Sequence, residues 1–573
     1  MTHSPSSRLR AISLCFVCIA VLCVGQLFRL QVVRGAEYAE EADHQYVRAS
    51  ENSFSRGTIY FKERTGKLVA AATLRPSFAI VANPKKILDP EALYASTSPV
   101  LVGLEKDAFI AQLAKPNDTY EVLAPDVDQK KADAIRDLDL PGIDVYKQKK
   151  RLYPGNTLAA HVLGFVGWGK DGSTQVFSGR YGLERYYDDI LTRSTGSLYV
   201  NFFAAVFAGL SSLTEKQNSI EGDIVTTIEP NVQATLERQL TDTKKQWDAE
   251  QIGGVVMDPQ TGKIFAMAAL PNYDPNQFNT VEDPSLFTNP MTENVYEMGS
   301  IVKPLTMAAA IDAGAVTAKT MYVDEGTVQV EKAVISNYDG KARGKVSMQE
   351  VLNQSLNTGM VFVMKSMGRT LFSEYMRNYA LGEKTGIDLP NEIAGLIKNL
   401  SSPRDVEHAT ASFGQGIALT PLGVTRALAS LGNGGYLVQP YMTDSIAYTL
   451  GITDTTKVVP GKRILKAETS KTITAMLVKV VDTALIGGKA KMEHYAIAAK
   501  TGTAQISKPG GGYHDDRFSH TFFGYFPASN PRFIVVLYMV HPKGARYASE
   551  TLTKPFMDMT KFLLNYYQVP PDR

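Results

Sequence analysis

The stretch Gly299-Ser300-Ile301-Val302-Lys303-Pro304-Leu305-Thr306-Met307-Ala308-Ala309-Ala310-Ile311 sets a serine and a lysine, three residues apart, at the opening of a helix that runs to Gly314. Pro304 is tolerated because first-turn N–H groups have no intrahelical partner. Ser300 is thereby expected at a helix N-terminus, where the dipole favours developing negative charge. Residues three apart share a helix face, so the Lys303 amine is expected over the Ser300 hydroxyl. A serine is inert at its free pKa and needs an adjacent base, and a desolvated neutral lysine can serve. Ser-x-x-Lys arises often by chance, and an ordinary helix with a solvated lysine is the alternative. Here, however, no other serine of the chain stands three residues before a lysine.

Two further elements follow in order. Ser355-Leu356-Asn357 lies within Glu350–Gly359 and offers a hydroxyl for proton relay and an amide for orienting an acyl substrate. Lys500-Thr501-Gly502-Thr503 closes the apolar run Tyr495-Ala496-Ile497-Ala498-Ala499. At the end of an edge strand Lys500 can meet a carboxylate, and Gly502 is expected to let a bound peptide approach the backbone. The N–H groups of Ser300 and Thr503 can form an oxyanion hole. Lys-Thr-Gly occurs a second time at Lys384-Thr385-Gly386, where Pro390 and the neighbouring charges predict a loop.

The surrounding pattern gives the fold class. A new unit begins near Glu221, with a strand over Asp223–Ile228 and an amphipathic helix over Pro230–Leu240. A hairpin follows, formed by Gly253–Met257, the turn Asp258–Lys263 and Ile264–Ala268. Three strands are predicted near the other end, over Tyr495–Ala504, Thr521–Phe526 and Arg532–Val540. Strands at both ends and helices between them predict an α/β sandwich whose sheet joins distant parts of the chain. Residues 34–220 read as a mixed α+β module, with a strand over Ser77–Ala82 and a helix over Ala132–Arg136. The apolar run Phe202–Leu210 is too short to span a bilayer.

Near the N-terminus, Ala11 to Phe28 carries no charge and is bounded by Arg10 and Arg29. Extended to Val33, it suffices for a tilted spanning helix. No small-x-small cleavage site follows, so a signal-anchor over 11–33 behind a cytoplasmic tail over 1–10 is expected rather than a cleaved signal peptide. Arg8 and Arg10 before the span match Arg29 and Arg34 after it, so counting positive charges does not decide its orientation.

The three cysteines, Cys15, Cys18 and Cys23, all fall inside this apolar stretch. Downstream there is neither a disulfide framework nor a cysteine metal site. Sixty Lys and Arg against fifty-eight Asp and Glu, with no long basic block, leave nucleic-acid binding without an electrostatic footing.

Ser-x-x-Lys, Ser-x-Asn and Lys-Thr-Gly in this order resemble the signature set of penicillin-binding proteins and class A β-lactamases. Arg56-Gly57-Thr58-Ile59, the stretch Ala159–Gly167 and Gly182-Leu183-Glu184 look like the pedestal of class B penicillin-binding proteins. Tyr273-Asp274-Pro275-Asn276, Phe413-Gly414-Gln415-Gly416 and Asn433-Gly434-Gly435 are similar to their transpeptidase domain.

The resemblance implies a transmembrane anchor, a pedestal of the dimerisation type over 34–220, and a transpeptidase domain over 221–573 with an antiparallel sheet flanked by helices. It implies a D,D-transpeptidase that cross-links peptidoglycan stem peptides through an acyl-enzyme on Ser300 and is inhibited by β-lactams. Lys303, Ser355, Asn357 and Lys500 then complete the catalytic set, and Thr501, Gly502 and Thr503 bind substrate. Neither metal nor cofactor is required. The implied setting is the bacterial plasma membrane, single-pass, with the catalytic domain outside, and a polytopic glycosyltransferase is the implied partner. Asn357 leans toward the division type. A D,D-carboxypeptidase and a non-catalytic scaffold or β-lactam sensor are the alternatives.

The chain departs from the family pattern at three places. Met298 stands where proline is usual, Tyr60-Phe61-Lys62-Glu63-Arg64 replaces an acidic–Arg pair, and Leu356 occupies a position where a small residue is common.

Overall fold

The computed structural model describes residues 55–115, 118–171, 174–193, 221–449, 451–508 and 510–573, together with Gln26. Apart from Gln26, the expected tail and anchor over 1–33 and the run Phe202–Leu210 lie outside the described residues. Among those described, no helix is long and apolar enough to cross a membrane. The described residues fall into two compact units, one within 55–56, 74–150 and residue 193, the other within 57–73, 151–192 and 221–573.

In the first unit, the end of the strand Leu68–Ala82 pairs antiparallel with Glu121–Val127, Phe78 lying opposite Val127. Helices Pro90–Thr97 and Gln129–Asp137 begin at Asp89 and Asp128, whose carboxylates accept from first-turn N–H groups. Phe78, Ile80, Leu93, Phe109, Leu123 and Ile135 form the core.

The second unit contains helix α1 (Pro230–Gln246), strands β1 (Gln251–Met257) and β2 (Ile264–Leu270), and helices α2 (Lys303–Asp312) and α3 (Asn357–Met367). Strands β3 (Ala498–Ser507), β4 (Tyr513–Phe526) and β5 (Phe533–Val540) and helix α4 (Thr553–Tyr566) follow. The five strands make one sheet in the order β2-β1-β5-β4-β3, every pair antiparallel. Strand β3 is therefore an edge.

Period-two side chains build a core on each face. Val256, Phe522 and Val535 pack with Leu236 of α1 and Phe556 of α4, while their chain neighbours Val255, Phe523 and Val536 join Leu305 and Ala308 of α2 and Met360 of α3. Helix α2 is buried nearly all round, and its Lys303 has no exposed surface.

The strand predicted over Tyr495–Ala504 starts later than expected. The Ala496 N–H donates to Asp572 (2.7 Å) and the Ala496 carbonyl accepts from Ala528 N (2.8 Å), so the chain joins the sheet only at Ala498. Strand β4, in turn, starts eight residues before the expected Thr521, at Tyr513, which lengthens the β3–β4 hairpin.

The same unit also gathers sequence from well before Glu221. Arg151 is buried, donates to Glu184 (2.7 Å) and to the Gly57 carbonyl (2.7 Å), and so ties Gly182-Leu183-Glu184 to Gly57. The Tyr153 hydroxyl completes the cluster at 3.1 Å from Glu184.

Candidate active site

Ser300 sits in a 3-10 turn (Gly299–Ile301) that leads directly into α2. The turn is gripped from two sides. Gly299 has a φ of +58°, and a Cβ there would lie 2.7 Å from the Thr503 carbonyl; a Cβ on Gly414 would lie 2.1 Å from the Gly299 carbonyl. Backbone contact on both sides needs glycine, since no side-chain atom fits between. The Gly299 N–H also donates to Gly414 O (3.0 Å), which brings Phe413-Gly414-Gln415-Gly416 to the back of the turn.

Ser355 lies between a short helix, Met348–Asn353, and α3, with a φ of +55°, and Asn357 opens α3. Both reach Lys303. Its Nζ donates to Ser355 O (2.6 Å), to Asn357 Oδ1 (2.8 Å) and to Ser355 Oγ (3.2 Å). Lys500 approaches the same hydroxyl from β3, with Nζ 3.1 Å from Ser355 Oγ and 3.0 Å from Thr501 O. One serine hydroxyl thus stands between two buried lysine amines. The bonds of Lys303 run to these groups, whereas the helix spacing had placed its amine over Ser300.

This crowding fixes the electrostatics. Burial, and then the neighbouring Lys500 cation, push the Lys303 amine well below its ordinary pKa. Burial alone brings Lys500 down to about 7. These shifts favour the neutral form of Lys303, the form able to accept a proton, and let Lys500 titrate near neutrality.

Gly502 has a different reason from the one expected. A Cβ on it would meet Thr521 Oγ1 at 2.3 Å, Met298 O at 2.7 Å and Ile301 N at 2.9 Å. The space is taken by the turn that carries Ser300, so the glycine serves the protein's own packing. Thr521 Oγ1, across the ladder from Gly502, donates to Met298 O (2.8 Å) and locks the two together. The Thr503 carbonyl faces Gly299, and its N–H projects to the same side of the extended chain.

Ser300, Ser355, Asn357, Lys500, Thr501 and Thr503 all line one cleft of about 770 Å³; Lys303 lies beneath it, and Gly502 faces inward. Lys384-Thr385-Gly386 is not part of it. There the N–H groups of Thr385 (2.7 Å) and Gly386 (3.0 Å) wrap the Glu392 carboxylate, and the Lys384 side chain is exposed.

Several residues of the site carried no sequence signal. Asn357 Nδ2 donates to Ser336 O (2.9 Å), at the end of the strand Ala333–Ser336. Next to it, Asn337 donates to both oxygens of buried Asp324 (3.0 Å each), which also accepts from Thr358 Oγ1 (2.6 Å) and Arg343 N (2.9 Å). Burial works against the Asp324 charge, but these hydrogen bonds outweigh it and hold the carboxyl below its ordinary range. Glu297, three residues before Ser300, accepts from Tyr513 OH (3.1 Å) and Gly416 N (3.1 Å), while burial raises its pKa. Among the described residues no cluster of His, Cys, Asp and Glu could hold a metal ion.

Residues 252–559 match the model of the penicillin binding protein transpeptidase domain, and residues 52–227 that of the penicillin-binding protein dimerisation domain. Among curated relatives, stage V sporulation protein D of Bacillus subtilis is 29% identical over 562 residues, covering 96% of this chain and 84% of that protein. Peptidoglycan D,D-transpeptidase FtsI of Escherichia coli K12 is 28% identical over 569 residues, covering 97% and 91%.

The fold is shared with penicillin binding protein 3 from Mycobacterium tuberculosis, crystallised with aztreonam (TM-score 0.68, 22% identity, 91% of this chain and 98% of that one). It is also shared with penicillin binding protein 2X from Streptococcus thermophilus (TM-score 0.71, 21% identity, 90% and 80%). With more than half of its 573 residues matched by the transpeptidase-domain model, the chain belongs to the penicillin-binding protein transpeptidase family.

Proposed function

We propose that this protein is a peptidoglycan D,D-transpeptidase that cross-links stem peptides through an acyl-enzyme on Ser300. The observation that carries the reading is the double approach of Lys303 and Lys500 to the Ser355 hydroxyl, at 3.2 and 3.1 Å, in the cleft that Ser300 lines. The relative named peptidoglycan D,D-transpeptidase FtsI supports the choice of substrate.

In this reading neutral Lys303 takes the Ser300 proton as Oγ attacks the carbonyl of the penultimate D-alanine. The Ser300 and Thr503 N–H groups stabilise the oxyanion. As the tetrahedral adduct collapses, the proton passes from Lys303 through Ser355 to the departing amine, and the terminal D-alanine leaves. Lys500 and Thr501 hold the carboxylate of that departing residue. An acceptor amine then attacks the ester carbonyl, its proton travels back along the same groups, and the new amide bond releases Ser300 Oγ. Asn357, clamped between Lys303 and Ser336, positions the lysine.

The same proposal extends to the whole chain. Residues 11–33 anchor it in the plasma membrane, 34–220 form the pedestal and 221–573 the catalytic domain, which works outside the membrane beside a polytopic glycosyltransferase. β-Lactams acylate Ser300 in place of the donor.

The test has two arms. Mass spectrometry after incubation with a stem-peptide mixture separates cross-linked dimer, which is expected, from trimmed monomer, which identifies a carboxypeptidase. A fluorescent penicillin is expected to label the protein and to fail on Ser300→Ala; an adduct that persists on another residue overturns the assignment.

A further inference from the structure

One wall of the cleft is strained and apolar. After a π-helical turn at Val480–Ala484, the chain passes through Leu485 and Ile486, which line the cleft together with Val480 and Ala484. Ile486 adopts φ +49° and ψ +40°, the left-handed region, and is 49% exposed. For a β-branched residue this backbone is an outlier that persists only where the surroundings impose it. Gly487 and Gly488 follow with φ of +64° and +82°, so the turn holds residues that take such backbone without strain. Two penalties, a left-handed isoleucine and a large apolar side chain open to solvent, thus coincide at one residue on the cleft wall. The polar residues Ser336, Asn337 and Asn357 line the same cleft.

We infer that Ile486 is a specificity-determining residue that receives the methyl group of the donor's departing, carboxy-terminal residue. The inference rests on the transpeptidase reading above, which puts the departing carboxylate at Lys500 and Thr501. The π-helical turn packs against β3, and Ala499, just before Lys500, lines the same cleft. An apolar surface beside a carboxylate site suits a small alkyl amino acid and gives nothing to a residue lacking the alkyl group. The strain keeps that side chain directed into the cleft, where a relaxed turn residue would leave a hole.

The test uses two donor peptides that differ only in the last residue, one ending in D-Ala-D-Ala and one in D-Ala-Gly. Both form the same acyl-enzyme, so release of D-alanine or of glycine reports on the departing residue alone. The full chain is compared with Ile486→Gly and with Ile486→Asn, which accepts left-handed backbone and keeps bulk but is polar. The native protein is expected to prefer the D-alanine donor by about tenfold or more, the scale of one lost methyl contact. Both variants should bring the two donors to within about threefold of each other, while Tm rises by about 1–3 °C as strain is relieved.

A discrimination ratio unchanged in both variants overturns the inference, and so does a Tm that falls in both. Fluorescent penicillin labelling separates the two readings. If it labels all three proteins while the ratio stays fixed, only the role of Ile486 fails. If it does not label the native protein, the acyl-enzyme reading fails and the inference with it.

Discussion

The backbone of Gly502 runs so close to the Ser300 turn that a Cβ at 502 would stand 2.9 Å from Ile301 N. The edge strand and the nucleophile turn are thereby held at backbone contact, and the distance between Ser300 N and Thr503 N depends on it. Gly502→Ala would force the turn away from β3, because Met298 O and Ile301 N are backbone atoms that cannot rotate aside. Acylation by a penicillin is expected to fall by about 10²-fold or more, the cost of losing an aligned oxyanion donor. Stopped-flow acylation with the variant, after its fold is checked by circular dichroism, measures this; a rate within threefold of native would mean that the contact is slack.

Asp324 acts at one remove from the site. Its two oxygens hold Asn337, beside the Ser336 carbonyl that anchors Asn357, and Thr358, the residue after Asn357. It therefore positions the amide that accepts from Lys303 without touching substrate. Asp324→Ala leaves several buried donors unpaired and should destabilise the protein by about 2–4 kcal/mol. Asp324→Asn keeps an acceptor and should be milder. Because a freed Asn357 no longer favours the charged form of Lys303, the acidic limb of the acylation profile is expected to move to lower pH in both variants. A lowered Tm with an unmoved limb would reduce Asp324 to a purely structural role.

The two Lys-Thr-Gly sequences make an internal control. Lys384→Ala should change the acylation rate by less than about threefold, as an exposed substitution does. Glu392→Ala should instead lower stability, since Thr385 N, Thr385 Oγ1 and Gly386 N all donate to that buried carboxylate. Lys500→Ala should cripple acylation. Greater damage from Lys384→Ala than from Lys500→Ala would reverse the placement of the third motif.

The groups expected at the cleft could be read from sequence because acyl transfer demands a few chemical types at short spacing. Ser300 and Lys303 are three apart, Ser355 and Asn357 two apart, and Lys500 to Thr503 are contiguous. The sheet was legible for a similar reason, as pairs such as Phe522 and Phe523 divide between two cores by simple alternation. What could not be read is whatever depends on distant backbone. Asp324 and Thr358 are 34 residues apart and meet only through the fold. Nothing local in the sequence shows that Met298 lies against Gly502. The late start of β3 arises from Asp572, 76 residues beyond Ala496. Ile486 carries no signal either, since left-handed backbone at isoleucine runs against every local preference.

The pH dependence of acylation separates the two lysines. For the free enzyme, the second-order rate constant reports free-enzyme pKa values. Lys303 must be neutral to accept a proton, and burial beside Lys500 depresses its amine well below the ordinary value, so its requirement sets the acidic limb. Lys500 must be charged to hold a carboxylate, and its pKa of about 7 means that the condition fails as pH rises through neutrality. The profile should therefore be bell-shaped, with an alkaline limb near 7 that falls tenfold per pH unit. Lys500→Arg keeps the cation at every accessible pH and should erase that limb, even if its longer fork lowers the maximum. Stability responds with its own sign. Both lysines have folded pKa values below the unfolded one, so between the two values the unfolded chain binds more protons and stability rises with pH. For Lys500 that window runs from about 7 to the ordinary lysine value of 10.5, and Tm should climb across it while acylation declines. An acylation rate that stays flat from pH 6 to 9 in the native protein would remove Lys500 from carboxylate binding.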